Sequence, residues 1–335
     1  MTAPTTATDA VRPAARGQIT GVAIALVSAF TFALSGPFAK ALMDSGWSPG
    51  AAVLVRVGGA ALVLLIPTLL LMRGRWATLR QSSKIIVLYG VIAISGAQVG
   101  FFNAVSYMSV GVALLIEYLA PVLLVLLVWA RTRRRPGVLT IVGTVVAIVG
   151  MVCVLDLTGA QTVHPLGVAW ALLAAVSLAT YFVLGTRISD ELPPLVLAGG
   201  GLIVGTVTVA VCGLIGLLPL AFSTSDVTML GVEMSWLVPM LALAVISTAA
   251  AYVTGIIATA RLGTRLASFV GLSEVVFAVL ASWLLLAELP GLLQLLGGVG
   301  ILAGVILVRA DKYALDLTPP VPRVSATREK EKAPR

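Results

Sequence analysis

The segment Ala113-Leu-Leu-Ile-Glu-Tyr-Leu-Ala-Pro121, continued to Val154, is written twice: moved forward by 154 positions, it falls without a gap on Ala267 to Val308. Twelve of the 42 aligned positions are identical. A composition this rich in Leu, Ala, Val and Gly gives about four by chance. The matches include Trp129 with Trp283, Pro136-Gly137 with Pro290-Gly291, Gly143 with Gly297, and Gly150 with Gly304. Each copy reads as an apolar helix, a Pro-Gly turn and a second apolar helix rich in glycine. A shorter echo joins Gly21-Val-Ala-Ile-Ala-Leu26 to Gly167-Val-Ala-Trp-Ala-Leu172 at an offset of 146. The chain is two related halves, and its function is expected where they meet.

Composition names the solvent. Of 335 residues, 59% are hydrophobic and 11% charged, and the mean hydropathy is +1.07. Soluble domains carry roughly 25% charged residues, and a single soluble core stops growing near roughly 250–300 residues. The chain therefore reads as an integral membrane protein whose surroundings are a lipid bilayer. Cys153 and Cys212 both fall inside apolar runs and read as small buried hydrophobes rather than a redox pair.

Apolar runs long enough to span the hydrocarbon occupy 19–41, 50–72, 85–107, 110–130, 138–156, 166–187, 195–219, 236–258, 266–286 and 291–309. The expected fold is all-α, with ten transmembrane helices as two five-helix repeats over 19–156 and 166–309. Residues 1–18 and 310–335 are expected as disordered cytoplasmic tails. With both termini cytoplasmic, 20 of the 22 basic residues lie on the cytoplasmic side, among them Arg131, Arg133, Arg134 and Arg135. The outer loops hold Asp44, Asp156, Asp226, Glu233 and Glu288. This is the positive-inside pattern of a multi-pass plasma (inner) membrane protein. It also accounts for the net charge of +8 without a nucleic-acid partner.

Five helices per half is an odd number, so the second half enters the membrane upside down. The first Pro-Gly turn follows three arginines, whereas the second follows Ala287-Glu288-Leu289. Inverted repeats of this kind build alternating-access carriers, with a small-molecule site near the midplane between the halves.

The segments Gly111 to Pro121 and Arg261-Leu-Gly-Thr-Arg265 through Glu274 resemble the drug/metabolite transporter superfamily, in its ten-helix EamA type. Gly36-Pro-Phe-Ala-Lys40 and Val53-Leu-Val-Arg56 are similar to the threonine/homoserine exporter-like group within it. The resemblance covers about residues 18–310 and implies a secondary transporter of small metabolites. One departure stands out. The family usually has Glu-Pro in the ninth helix, whereas this chain has Glu274-Val275, which predicts the loss of a kink there.

Three charges sit inside spans: Arg56, Glu117 and Glu274. Each costs about 2.5–3.5 kcal/mol at a helix centre, so each should face a partner or a cavity. Arg56 and Glu117 both lie roughly 10 Å below the outer surface, counting 1.5 Å per residue. Either Arg56 grips a substrate carboxylate and Glu117 an ammonium group, as suits an amino acid, or the two form a structural ion pair. Glu274 shares a helix face with Gly271, Ala278 and Ser282. It reads as a tight helix contact or as a cavity-facing carboxyl that exchanges a proton for substrate, and Glu117 is the second candidate for that proton role.

Gln98, Asn103, Tyr118, Tyr181 and Tyr252 complete the candidate substrate-binding set. Ser28, Thr31 and Ser35 share a face of the first helix and are expected to bond back to it. Lys40 is expected to snorkel to the outer surface. Glycines four apart, as in Gly96/Gly100, Gly201/Gly205 and Gly300/Gly304, predict close helix packing, within one chain or across a homodimer.

No phosphate-binding Gly-x-x-x-x-Gly-Lys motif is present, so ATP is not the expected energy source. The single histidine, His164, falls in a loop; no metal, cofactor or catalytic residue is expected. The leading expectation is an amino acid exporter, possible exchange partner the proton. An importer, an exporter of a hydrophobic amine or drug-like cation, and a membrane scaffold without transport are the alternatives.

Overall fold

The computed structural model describes residues 11–74, 76–132, 137–155, 164–185 and 192–310. Two helices, α1 (Val11–Ala33) and α2 (Ser35–Asp44), form one rod with a break at Leu34. Helix α3 (Pro49–Met72) follows a capped turn in which the Ser48 hydroxyl accepts from the Ala51 N–H, satisfying an amide that would otherwise lack a partner. The third rod is α4 (Trp76–Leu88), a π-helical stretch (Tyr89–Gly96) and α5 (Ala97–Val105). Next come α6 (Val110–Glu117), α7 (Ala120–Thr132) and α8 (Val138–Leu155). The second half runs through α9 (Pro165–Gly185), α10 (Pro194–Leu214), α11 (Leu237–Leu241), a second π stretch (Ala242–Ala250), α12 (Ala251–Gly271), α13 (Ser273–Leu286) and α14 (Leu292–Ala310).

Among the described residues, seven helical stretches are long and apolar enough to cross a membrane: Ile19–Asp44, Pro49–Met72, Trp76–Val105, Val110–Leu127, Pro194–Leu214, Leu237–Gly263 and Phe269–Leu286. Three shorter apolar helices accompany them, Val138–Val154, Pro165–Tyr181 and Leu292–Val308. Leu62, Ile66 and Leu70 stand on one exposed stripe of α3, the sort of surface that lipid rather than water covers.

Three expectations need correction. The first helix starts at Val11, inside the stretch read as a loose tail; Arg12 and Arg16 continue its helical backbone. Between α10 and α11 the chain is not all-helical: β1 (Val227–Met229) pairs antiparallel with β2 (Val232–Met234). The turn, Leu230-Gly231, takes φ of 57° and 72°, the left-handed pair that closes a two-residue hairpin. Leu230 donates its N–H to the Leu285 carbonyl at 3.1 Å, and Trp47 donates from Nε1 to the Ser223 carbonyl at 2.7 Å, so this loop is tied to both halves. Third, the α hydrogen bonding of the ninth span is interrupted at Leu272 without proline, as described below. The Arg133–Arg135 run, on which part of the orientation rests, lies outside the described residues, as do 311–335.

The inversion is visible in how α8 meets α14. A methyl group on Gly143 would lie 2.6 Å from the Gly304 carbonyl oxygen, and one on Gly150 would lie 2.6 Å from that of Gly297. The repeat equates Gly143 with Gly297 and Gly150 with Gly304, so exchanging the halves turns one contact into the other. Such a self-complementary contact requires an approximate two-fold axis. An early residue of α8 meets a late residue of α14, so the helices run antiparallel and their Pro-Gly turns stand at opposite ends. Glycine permits the approach because van der Waals contact between backbones holds helices together where no hydrophobic force acts between them. Gly96 packs on Ser177, Gly100 on Ala174 and Gly205 on Ile94. All these glycine pairs are therefore spent inside the chain.

The connection from the eighth to the ninth span turns at Gly263, with φ 77° and ψ 158° inside α12. A side chain there would be strained, which gives the glycine of Arg261-Leu-Gly-Thr-Arg265 its purpose.

Candidate functional site between the repeats

Arg56 is the one charged residue fully buried among those described, at 3% exposure. A guanidinium so placed needs partners. Its Nε donates to Thr248 Oγ1 at 3.1 Å, and its Cζ lies 5.3 Å from the centre of the Phe102 ring, a cation–π contact. Thr248 in turn donates its hydroxyl proton to the Leu243 carbonyl, five residues back, at 2.8 Å. That bond belongs to the second π stretch, where the backbone has opened from the α register. Inserted single π turns mark functional sites more often than plain helix does.

The structural ion pair between Arg56 and Glu117 is not formed. Lys40–Glu288, 2.9 Å apart, is the ion pair among the described side chains. Lys40 is thus bound to the opposite half rather than snorkelling, and both partners are 21% exposed. Glu117, at the end of α6, is half-buried, and the charges acting on it are those of Glu274 and Arg56. The three ionisable groups found by sequence thus share one neighbourhood with a member from each half.

Tyr118 joins the two carboxyl-bearing helices. Its hydroxyl lies 2.7 Å from Glu274 Oε2 and 3.3 Å from the Gly271 carbonyl oxygen. Both α6 and α12 end at this level: the fourth span breaks at Tyr118-Leu119, before Pro121, and the ninth at Leu272. The repeat offset of 154 carries Tyr118 onto Leu272. In the fourth span Pro121 removes the amide that would bond the Glu117 carbonyl. In the ninth, Val275 has its amide but donates to Leu272 at 3.3 Å, one residue short of the α partner. That leaves the Gly271 carbonyl for Tyr118, so the α hydrogen bonding is interrupted here without proline, while Leu272 keeps helical backbone angles.

The other expected residues divide. Tyr252 lies against Phe32, ring centres 5.2 Å apart, within electrostatic reach of Arg56, Glu117 and Glu274. Tyr181 contacts Tyr89 at 5.2 Å, adding a tyrosine the sequence did not single out. Gln98 stands one turn before Phe102, and its Oε1 is buried with no hydrogen bond. Asn103 bonds back to its own helix, its Nδ2 donating to the Val99 carbonyl at 2.7 Å. Thr31 bonds back as expected, to Val27 and Ser28 carbonyls, but Ser28 crosses to the Ala251 carbonyl at 2.9 Å. Thr248 and Phe102 were missed because their role depends on a partner in another span. Among the described residues no group of His, Cys, Asp and Glu could hold a metal.

A helical membrane protein folded as two like halves, with charges buried at their seam, defines the class. The chain belongs to the EamA-like transporter family, whose profile matches residues 19–156 and 165–310. It is therefore a multi-pass membrane transporter of the drug/metabolite superfamily. Eleven chains of solved structure are similar to it. One, titled only as the crystal structure of a protein, has 20% identity and a TM-score of 0.55 over 85% of this chain and 96% of that one. At that identity the likeness concerns the fold alone. Comparison with curated proteins gives no match.

Proposed function

We propose that the protein is a secondary active exporter of a small metabolite, an amino acid or related compound, working by alternating access. It has ten spans in two inverted repeats and both termini in the cytoplasm of a plasma-membrane-bound cell, with protons as the exchanged species. The observation that carries this reading is Arg56. Its guanidinium is fully buried and, among the described residues, hydrogen-bonds Thr248 and forms no direct ion pair with a carboxylate. A buried guanidinium with neighbouring carboxyls but no direct ion pair has donors to spare, and a substrate carboxylate suits them. Glu117, half-buried and near it, suits the ammonium group, while Gln98 offers an acceptor and the tyrosines line the approach.

The test is Glu117→Gln. It is expected to insert and fold normally while abolishing export, measured as resistance of cells to toxic amino acids with and without the protein. Export by that variant equal to wild type removes the reading. One observation favours a second substrate class: Glu117 and Glu274 place two carboxyls beside one guanidinium. A hydrophobic amine or drug-like cation fits that balance, and a panel of cationic dyes in the same cells distinguishes it.

A further inference from the structure

Tyr118 holds a position that substrate binding alone does not require. A phenol has one proton to donate, yet two acceptors face it: the Glu274 carboxylate oxygen at 2.7 Å and the Gly271 carbonyl oxygen at 3.3 Å. The carbonyl belongs to the break in the ninth span and is released there because Val275 bonds to Leu272 instead. The phenol itself stands at the equivalent break of the fourth span. One hydroxyl thus connects a titratable side chain to the two paired interruptions of helical bonding in the repeats.

We propose that Tyr118 is the positioning residue through which proton uptake at Glu274 sets the bend of the ninth span. When Glu274 is ionised it accepts the Tyr118 proton, the stronger of the two choices because the acceptor is charged. The Gly271 carbonyl then has only a long contact. When Glu274 takes a proton, its own O–H donates to the Tyr118 oxygen. The phenol keeps its proton and turns it to the Gly271 carbonyl, tying the backbone at the kink to α6. One proton enters, none leaves Tyr118, and the two arrangements differ in which part of the ninth span is held. That difference in bonding is what lets a proton bias a conformational equilibrium.

The surroundings suit the role. Glu117 faces Glu274 from the end of α6, Arg56 from α3 and Tyr252 from α12. At the far end of α13, Lys40 of α2 is occupied by Glu288. From α1, which packs along α13, the contact is Phe30 against Phe277 at 5.6 Å, and residues 19–33 bring no charge. The inference rests on the proton-exchange reading above.

The experiment uses the full chain in lipid vesicles, with Cys153 and Cys212 replaced by Ala and spin labels at Ala267→Cys and Leu284→Cys, either side of the break. Distances are measured from roughly pH 5 to roughly pH 9, a range that holds the titration of carboxyls both exposed and buried. In the otherwise native chain the distance distribution is expected to shift with pH. Tyr118→Phe is expected to lose the shift, and Glu274→Gln to keep the acid-side distribution throughout. A Tyr118→Phe chain that shifts as the native one does overturns the proposal. If that variant does not fold, Glu274→Gln decides: a pH shift surviving in it places the switch on another group and likewise overturns the proposal. These distances are independent of substrate. Absence of solute export from cells would remove the exporter reading, whereas an unchanged bend would remove only the role of Tyr118.

Discussion

The two π stretches are the same backbone device in opposite halves, put to different uses. In Tyr89–Gly96 the Ser95 hydroxyl donates to the Gly90 carbonyl, five residues back, at 2.9 Å, with the Gly205 carbonyl of α10 at 3.3 Å. In Ala242–Ala250 the Thr248 hydroxyl donates to Leu243, also five back, but what meets it from α3 is the Arg56 side chain. One seam is closed by a residue with no side chain and the other holds a charge. The architecture is therefore repeated while the chemistry is not. A site with one guanidinium, rather than two related by symmetry, can fix a substrate in one orientation.

Removing the charge should produce the largest effect. Arg56→Ala is expected to weaken substrate binding about a hundredfold, the upper range for a hydrogen bond to a charged group, measured as the concentration for half-maximal export. A variant that transports normally would break the comparison. Filling the other seam acts on folding instead. A Cβ on Gly205 would meet Ile94 at 3.1 Å, so Gly205→Leu is expected to cost about 2 kcal/mol through overpacking, read as a lowered unfolding temperature in detergent.

The paired hydroxyls sharpen the contrast. Thr248→Val is expected to reduce substrate affinity about tenfold by leaving the Arg56 Nε unbonded. Ser95→Ala should cost about 1 kcal/mol of stability and leave affinity unchanged. Equal effects on affinity would mean that both seams serve the site. The smallest effect belongs to Lys40→Ala, which breaks the ion pair that, among the described residues, spans the halves at their partly exposed end. Below about 1 kcal/mol is expected for such a pair, declining with added salt, by thermal unfolding at two ionic strengths.

The repeat was legible because identical residues recur at a fixed offset, and its inversion because arginine gathers before one Pro-Gly turn and not before the other. Arg56, Glu117 and Glu274 were legible as costly charges in apolar runs. Their partners were not. Thr248 is 192 positions from Arg56, and nothing in Ala-Val-Ile-Ser-Thr-Ala-Ala marks a helix that opens to the π register. What Glu274-Val275 did not reveal is the carbonyl freed at Gly271, because proline is one way to free a carbonyl and a shorter Val275-to-Leu272 bond beside a phenol is another. The hairpin at 227–234 left one local trace, Gly231 after Leu230, too slight beside the long apolar runs. Asn103 looked costly to bury only until its own helix supplied the acceptor.

The glycine crossing of α8 with α14 has a consequence for how the chain is made. The face of α8 bearing Gly143 and Gly150 is inserted before α14, the helix that covers it, has left the ribosome. Until then that face rests against lipid or transient neighbours. A nascent chain halted before Leu292 should remain an open half-assembly and a ready target for membrane proteases. The two halves expressed as separate polypeptides should find each other through this same groove.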